Sequence, residues 1–403
     1  MPKLTQFAEA LEIIKHNTKC LQEETIPLED SLNRVLSQDI TATIANPNFN
    51  NSAVDGIGIT KQTLLNLQKN NTPLQIKKTI LAGDTLDNIE LNDNECLHIM
   101  TGAIVPPQVS TIFLIEETTV SNNSVLINAE LKDNQNIRNK GEDFNTGDIL
   151  VNKFTKLKFN NISLLATSGI AEVFVFKKPR VAIFTTGKET VAVGNPLKSG
   201  QIYNSNIITM KLFLEKLGFE VITLDNVADD ITSLEKNIAK AQKYFVDIIV
   251  SSGAVSMGTE DIIKHYLLAN AKVLYNGLAI RPGKPNILAI LKNNMLYFAL
   301  PGNPVSTAVA LNIFVQTYYN SANMLTPKSK TARAINDYSK KKDFTFFVRG
   351  RSFIENGELK VEILKKQGSH MLSSLSLANC LVKVNADTNT LEKNSLCEIY
   401  EIK

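Results

Sequence analysis

VAIFTTG, residues 181–187, is an unbroken apolar run that ends in glycine. A run of that kind reads as a strand buried on both faces. NSNIITMKLFLEKLG (204–218) follows as a helix with Gly218 as its stop. EVITLDNV (220–227) is a second strand. Thr232-Ser233-Leu234-Glu235 then opens a helix with a capping-box pattern, and its stripe is Leu234, Ile238 and Ala241. DIIVSSG (247–253) is a third strand, with a helix expected from about Glu260. NILAIL (286–291) and MLYFAL (295–300) are further strands around the turn Lys292-Asn293-Asn294. Asn303-Pro304 begins the last helix, an N-cap followed by proline at the first helical position. Strands and helices alternating at this length predict an α/β layer with a mostly parallel sheet.

Outward from this block the pattern changes. LQIKKTI (74–80), CLHIM (96–100), TIFLIEE (111–117) and SVLIN (124–128) are short β-like runs between Gly, Asn and Asp turns, so residues 46–150 read as a mostly-β region. The first 45 or so residues read as helical, from Phe7, Leu11 and Ile14 and again from Leu28, Leu32, Val35 and Leu36. NISLLATSG (161–169) reads as a short helix ending at Gly169. FTFFV, SFI, LKVEIL, CLVKV and SLCEIYEI, all beyond Pro327, predict a small β domain.

With 403 residues the chain is long enough for two to four domains. A net charge of +3 supplies no field for holding nucleic acid. No apolar run approaches a membrane span, and the N-terminus lacks a signal-peptide layout. Cys20, Cys96, Cys380 and Cys397 lie far apart, with no C-x-x-C, which fits a reducing compartment and predicts a cytoplasmic protein. His16, His98, His265 and His370 show no metal-ligand spacing. His370, in QGSHM, reads equally as a loop hydrogen bonder or a site residue.

The chemistry-bearing residues of the central block follow its strands. They are Lys188 and Glu189; Asp229 and Asp230; Ser252, Gly253, Ser256, Gly258 and Asp261; Arg281, Gly283 and Lys284; and Gly302 and Asn303. Ligands of open α/β sheets bind beyond the carboxyl ends of the strands, which makes these loops one candidate site. SSGAVSMG lets a ligand approach the backbone. RPGKP holds two cations three residues apart around a turn, and PGNP opens a helix; both suit an oxyanion or phosphate. Glu189, Asp229, Asp230 and Asp261 add carboxylates beside those cations, a combination that calls for magnesium. The alternative for each carboxylate is a helix cap, favoured for one of Asp229 and Asp230. Neither a P-loop nor a G-x-G-x-x-G fingerprint is present.

TTGKE, GQIYNSN, SSGAVSMGTED, AIRPGKP and LPGNPVS, in that order, resemble the signature of the molybdopterin molybdenumtransferases, the MoeA and gephyrin E-domain family. NNSAVDGIGI (50–59), CLHIMTGAIVP (96–106), IRNKGEDFNTGD (137–148), FFVRGR (346–351) and QGSHMLSSLSLANC (367–380) extend the resemblance over nearly the whole chain. It implies a segmented helical linker domain (1–45 plus 144–178), a β-rich insertion (46–143), a central α/β molybdopterin-binding domain (179–326) and a C-terminal small β barrel (327–403). It also implies a homodimer whose site is shared between chains. The implied reaction inserts molybdate into adenylated molybdopterin with magnesium and releases AMP. A molybdopterin adenylyltransferase would hand over the substrate.

By the same resemblance, Glu189, Asp55, Asp143, Thr101 and Lys284 are catalytic, and Asp229 and Asp261 hold the metal. Gly253, Ser256, Arg281, Pro301, Pro304, Arg349 and Ser369 bind substrate. Taken alone, Asp55 and Asp143 are turn formers beside glycine, Thr101 a helix cap and Arg349 a surface ion-pair partner. Four positions depart from the family pattern: Lys188 replaces Asp, Ala254 replaces Gly, Arg281 replaces Lys and Ile57 replaces Tyr. The rival readings are an adenylyltransferase, which the central block alone would permit, and a non-catalytic pterin-binding scaffold. Whether tungstate is taken in place of molybdate is left open.

Overall fold

The computed structural model describes residues 4–86, 88–228, 230–255, 261–327 and 329–402. The chain forms two compact units, Thr25–Val175 on the one hand and Met1–Glu24 with Phe176–Lys403 on the other.

In the larger unit the expected α/β alternation is present. We label its elements β1 (Arg180–Thr185), α1 (Ser205–Leu217), β2 (Glu220–Thr223), α2 (Ile231–Lys243), β3 (Ile248–Ser252), α3 (Ile262–Asn270), β4 (Lys272–Asn276), β5 (Ile287–Ile290), β6 (Leu296–Leu300) and α4 (Pro304–Ala310). The sheet order is β2-β1-β3-β6-β5-β4. The pairings β1–β2, β1–β3 and β3–β6 are parallel, and β5 closes the edge antiparallel to both β6 and β4. Successive residues of a strand point to opposite faces. Val181, Ile183, Ile248, Val250 and Phe298 accordingly join one core with Met210, Leu214 and Phe314. Ala182, Phe184, Ile249 and Tyr297 join the other core with Leu234, Ile238 and Leu267. Both faces are covered, so these strands read as continuous apolar runs.

The N-terminal helix Phe7–Asn17 buries Phe7, Ala10 and Ile14 in the first of these cores. At the other end, strands Lys330–Ala334, Thr345–Glu355, Glu358–Ile363, Cys380–Val384 and Leu396–Glu401 pair in a ring that closes through Thr345–Glu355 and Cys380–Val384. This is the expected C-terminal barrel. FTFFV and SFI, read as two strands, are one strand that runs from Thr345 to Glu355.

The smaller unit carries a six-stranded sheet over residues 56–127. One element there was not expected. Lys61–Lys69 is a helix, capped by Thr60, whose side chain accepts from Thr63 N, and it buries Leu64 and Leu67 against the sheet. The second helix expected before residue 45 is absent. Leu28–Ser31 is a single 3₁₀ turn after Pro27, and Asn33, at φ 65°, ends it in the left-handed region. Val35 and Leu36 instead form bridges to Lys156 and Val175. NISLLAT is helical as expected, within Phe159–Thr167.

Phe298 is fully buried in β6, edge-on to Tyr318. Phe298→Ala is expected to cost about 3–5 kcal/mol of stability in the larger unit. A fall in its urea midpoint with no change in the smaller unit's transition is the outcome that checks this.

Candidate functional site

A cleft of about 820 Å³ lies at the carboxyl ends of β1, β3 and β6. Glu189, Gly253, Asp261, Arg281, Lys284, Pro301, Pro304 and Ser369 all line it. Eight of the expected site residues, drawn from residues 187 to 370, therefore share one surface. Asp229 and Ser256 lie outside the described residues. Asp230 does not line the cleft; its carboxylate accepts from Ser233 N at 2.8 Å and caps α2. Among the described lining residues the carboxylates are Glu189 and Asp261, and Arg281 and Lys284 line the same cleft.

Backbone chemistry sets the walls. Gly187 has φ 122°, and a Cβ there would stand 2.7 Å from both Glu189 carboxylate oxygens, so the carboxylate folds back over a bare Cα. Gly253 has φ 104°, and a Cβ there would collide with Thr186 Oγ1. Ala254 also lies in the left-handed region, at φ 52°. This is the position where the resembled family has glycine, and the Cβ costs about 1–2 kcal/mol in that conformation.

Arg281 is exposed, with its guanidinium carbon 4.9 Å from the centroid of the Phe344 ring. The strand Ile280–Arg281 pairs with the barrel strand at Thr345 and Phe346, which brings that ring to it. A planar cation on an aromatic face keeps its edge free for an oxyanion. Asp261 is buried at the start of α3, and its Oδ2 has no hydrogen-bond partner among the described residues.

Two expectations need revision. Asn303 occupies the N-cap of α4, but its amide donates to Ser369 Oγ at 3.1 Å. Val305 N donates to Ser369 O at 3.1 Å, so a protein carbonyl already takes one of the N–H groups expected to face an anion. Arg349 is no surface ion-pair residue, and it does not line the cleft. It is fully buried, and its Nη2 donates to the carbonyls of Lys366 and Gly368 at 3.0 and 3.1 Å. Its Nε donates to Ser374 Oγ at 3.2 Å. Burial pushes the guanidinium pKa down from its usual value. Arg349 thus fixes the loop that presents Ser369 and His370 to the cleft.

Sequence reasoning missed the amides that pin these loops. Asn204 Nδ2 donates to Thr185 Oγ1, which donates to Asn226 Oδ1, whose Nδ2 reaches Gly187 O at 3.2 Å. The GQIYNSN motif pointed to Asn204 and Asn206, but the sequence gives no partner for either.

Asp55, Thr101 and Asp143 belong to the smaller unit. Asp55 Oδ1 accepts from Thr101 N at 2.6 Å and from Thr101 Oγ1 at 2.7 Å. These bonds hold the Asp55 carboxyl below the usual carboxylate range. Thr101 thus caps a carboxylate across the chain, not a helix. Asp143 Oδ2 accepts from Asn46 Nδ2 at 3.0 Å and lines a separate groove of about 600 Å³ with Arg138 and Glu142.

Two predictions follow from these contacts. Thr101→Val removes the hydroxyl donor and is expected to raise the Asp55 pKa towards the ordinary aspartate value, read by carboxyl-carbon NMR titration. The wild-type pKa is depressed, so the stabilisation is present above the unfolded-state pKa and is lost as pH falls through the folded value. Ala254→Gly relieves about 1–2 kcal/mol of left-handed strain against about 0.5–1 kcal/mol of added chain freedom, so the melting temperature is expected to rise slightly.

Comparison with known sequences gives three successive matches. Profiles of the MoeA N-terminal region (domain I and II), of a probable molybdopterin binding domain and of the MoeA C-terminal region (domain IV) match residues 5–169, 182–320 and 331–402. The molybdopterin molybdenumtransferase of Haemophilus influenzae is 35% identical over 367 residues, 90% of this chain and 89% of its own. That of Bacillus subtilis is 31% identical, over 98% of this chain and 93% of its own. The crystal structure of a molybdopterin biosynthesis MoeA protein from Pyrococcus horikosii superposes with a TM-score of 0.83 at 28% identity, covering both chains fully.

Proposed function

This chain belongs to the molybdopterin molybdenumtransferase family, and we propose that it inserts molybdate into adenylated molybdopterin and releases AMP. The observation that carries the reading is the shared cleft, which Arg281 and Lys284 line together with Glu189 and Asp261. Molybdate and the phosphates of the pterin nucleotide are anions, and a guanidinium and an ammonium on one turn neutralise them. Gly253 lines the cleft, and its bare Cα makes room for Thr186 Oγ1 in the same wall.

Hydrolysis of the phosphoanhydride joins a water oxygen to phosphorus and breaks the bond to AMP. Glu189, at the lip beyond β1, is the described carboxylate suited to take the water's proton. The two dithiolene sulfurs of the pterin bond the molybdenum as one Mo–O bond of molybdate breaks, and that oxide leaves as water with the two thiol protons. Ser369, held by Asn303 and presented by the Arg349-fixed loop, offers a hydroxyl to the oxyanion.

Magnesium fits the residues present. The buried, unpartnered Asp261 Oδ2 is an oxygen donor without a proton partner among the described residues. No described group of three His, Cys, Asp or Glu is available to cage a metal. Magnesium is commonly held by one or two carboxylates with substrate phosphates and waters, and Asp261 with Asp229 would supply the former. When bound, it would neutralise phosphate charge.

Our reading also takes the protein as a cytoplasmic homodimer. Asp55, Thr101 and Asp143 of one chain would complete the cleft of its partner, and the substrate would arrive from an adenylyltransferase. The four domains would be 1–45 plus 144–178, 46–143, 179–326 and 327–403. No described helix is long and apolar enough to cross a membrane.

The test is AMP release from adenylated molybdopterin under anaerobic conditions, with molybdate, with tungstate and with neither. Oxyanion-dependent release that EDTA abolishes is expected. Glu189→Ala should melt like the wild type and release AMP roughly 100- to 10,000-fold more slowly. Wild-type turnover in that variant would remove Glu189 from the mechanism.

A further inference from the structure

One side chain ties together two of the loops that form the cleft. Asn206 lies in the first turn of α1 and lines the cleft. Its Nδ2 donates to Ser252 Oγ at 2.8 Å and to the Gly302 carbonyl at 2.7 Å. Ser252 ends β3, and Gly302 follows β6. Ser252 Oγ donates onward to Pro301 O at 2.8 Å, and Thr307 Oγ1 donates to the same carbonyl at 2.7 Å. The loops are close enough that a Cβ built on Gly302 would stand 3.6 Å from Gly253 Cα. The Asn206 amide therefore adds a side-chain tie between the Gly253 loop and the Pro301–Asn303 turn, beside the bonds from Ser252 Oγ to Pro301 O and from Gly253 N to Leu300 O.

The other end of that amide is informative. Asn206 Oδ1 is buried and has no partner among the described residues. The side chain is thus oriented by its two donated bonds alone. The Gly302 carbonyl needs a donor from this position, which a carboxylate of the same shape cannot supply, and the Ser252 hydroxyl can donate to a carboxylate only by giving up its bond to Pro301 O.

We propose that Asn206 is a positioning residue for the transfer reaction. Its donated bonds hold the 251–255 loop and the 301–303 turn at the separation that the pterin nucleotide requires. The proposal rests on the function given above, and its test separates the two. In Asn206→Asp an ionised carboxylate faces the Gly302 carbonyl, so the loops part and substrate fits poorly. The protonated acid regains one donor. The KM for adenylated molybdopterin should therefore rise about tenfold or more at pH 8, with kcat changing less, and should recover towards the wild-type value at pH 5. Asn206→Ala should raise KM at both pH values alike.

Glu189, Tyr203, Asp261, Arg281, Lys284 and His370, the titratable and charged groups of the same cleft among the described residues, are common to wild type and variant. The ratio of the two pH profiles therefore isolates position 206. Pterin fluorescence on binding gives the same ratio without turnover. If the wild type binds the pterin but releases no AMP, the functional reading fails while the binding ratio still tests Asn206. A flat Asn206→Asp to wild-type ratio near one overturns the proposal. Should Asn206→Asp fail to fold, as judged by melting, Asn206→Ala and Ser252→Ala decide: a raised KM in both supports the proposal, and an unchanged KM in both overturns it.

Discussion

Burial of both faces of β1, β3 and β6 is the constraint on which the rest of the molecule depends. Val181 and Ile183 point into one core, Ala182 and Phe184 into the other. With no polar face to show water, these strands must lie in the middle of a layered sheet, and their parallel pairing points all three carboxyl ends one way. The loops at residues 185–190, 252–255 and 301–304 are then neighbours, although more than a hundred residues separate the first from the last. A polar ligand site can form there because the flanking strands leave no apolar surface to fill it.

Around that edge, hydrogen bonds give the cleft its shape. Side-chain amides and hydroxyls do most of this, with Asn204, Asn226 and Ser252 each linking loops that the sheet only brings close. Arg349 extends the same logic from the barrel. A buried guanidinium is costly unless its donors are met; here Nη2 meets the carbonyls of Lys366 and Gly368 and Nε meets Ser374 Oγ, while Nη1 has no partner among the described residues. The loop carrying Ser369 is thereby fixed, and Ser369 in turn takes the Asn303 and Val305 donors at the start of α4. A residue distant from the chemistry thus shapes one wall of the site.

The regular elements were largely legible in advance. VAIFTTG, DIIVSSG and MLYFAL are strands because period and burial agree. Gly218 ends α1 because only a residue free of a Cβ sits easily at φ 116°. Two local readings failed where local signals were outweighed. The stripe Leu28, Leu32, Val35 and Leu36 has helical spacing, yet Pro27 and the left-handed Asn33 leave room for one turn, and the bridges to Lys156 and Val175 reward an extended path. The helix Lys61–Lys69 was hidden among β-like runs because its apolar stripe is only Leu64 and Leu67.

The sequence by itself determined the α/β order, most of the barrel strands though not Lys330–Ala334, the post-strand placement of Glu189, Asp261, Arg281 and Lys284, and the family. Each of these is written in local periodicity or in a contiguous motif. The tertiary structure decided that Phe7–Asn17 packs into the α/β core and that Arg349, on the strand face opposite the barrel core, donates to carbonyls of the 366–368 segment. It likewise decided that Thr101 holds Asp55 ionised and that Asn206 joins two loops. Those roles depend on which donor meets which acceptor across tens to hundreds of residues. A hydrogen bond needs about 3 Å between atoms, and only packing brings such distant residues that close.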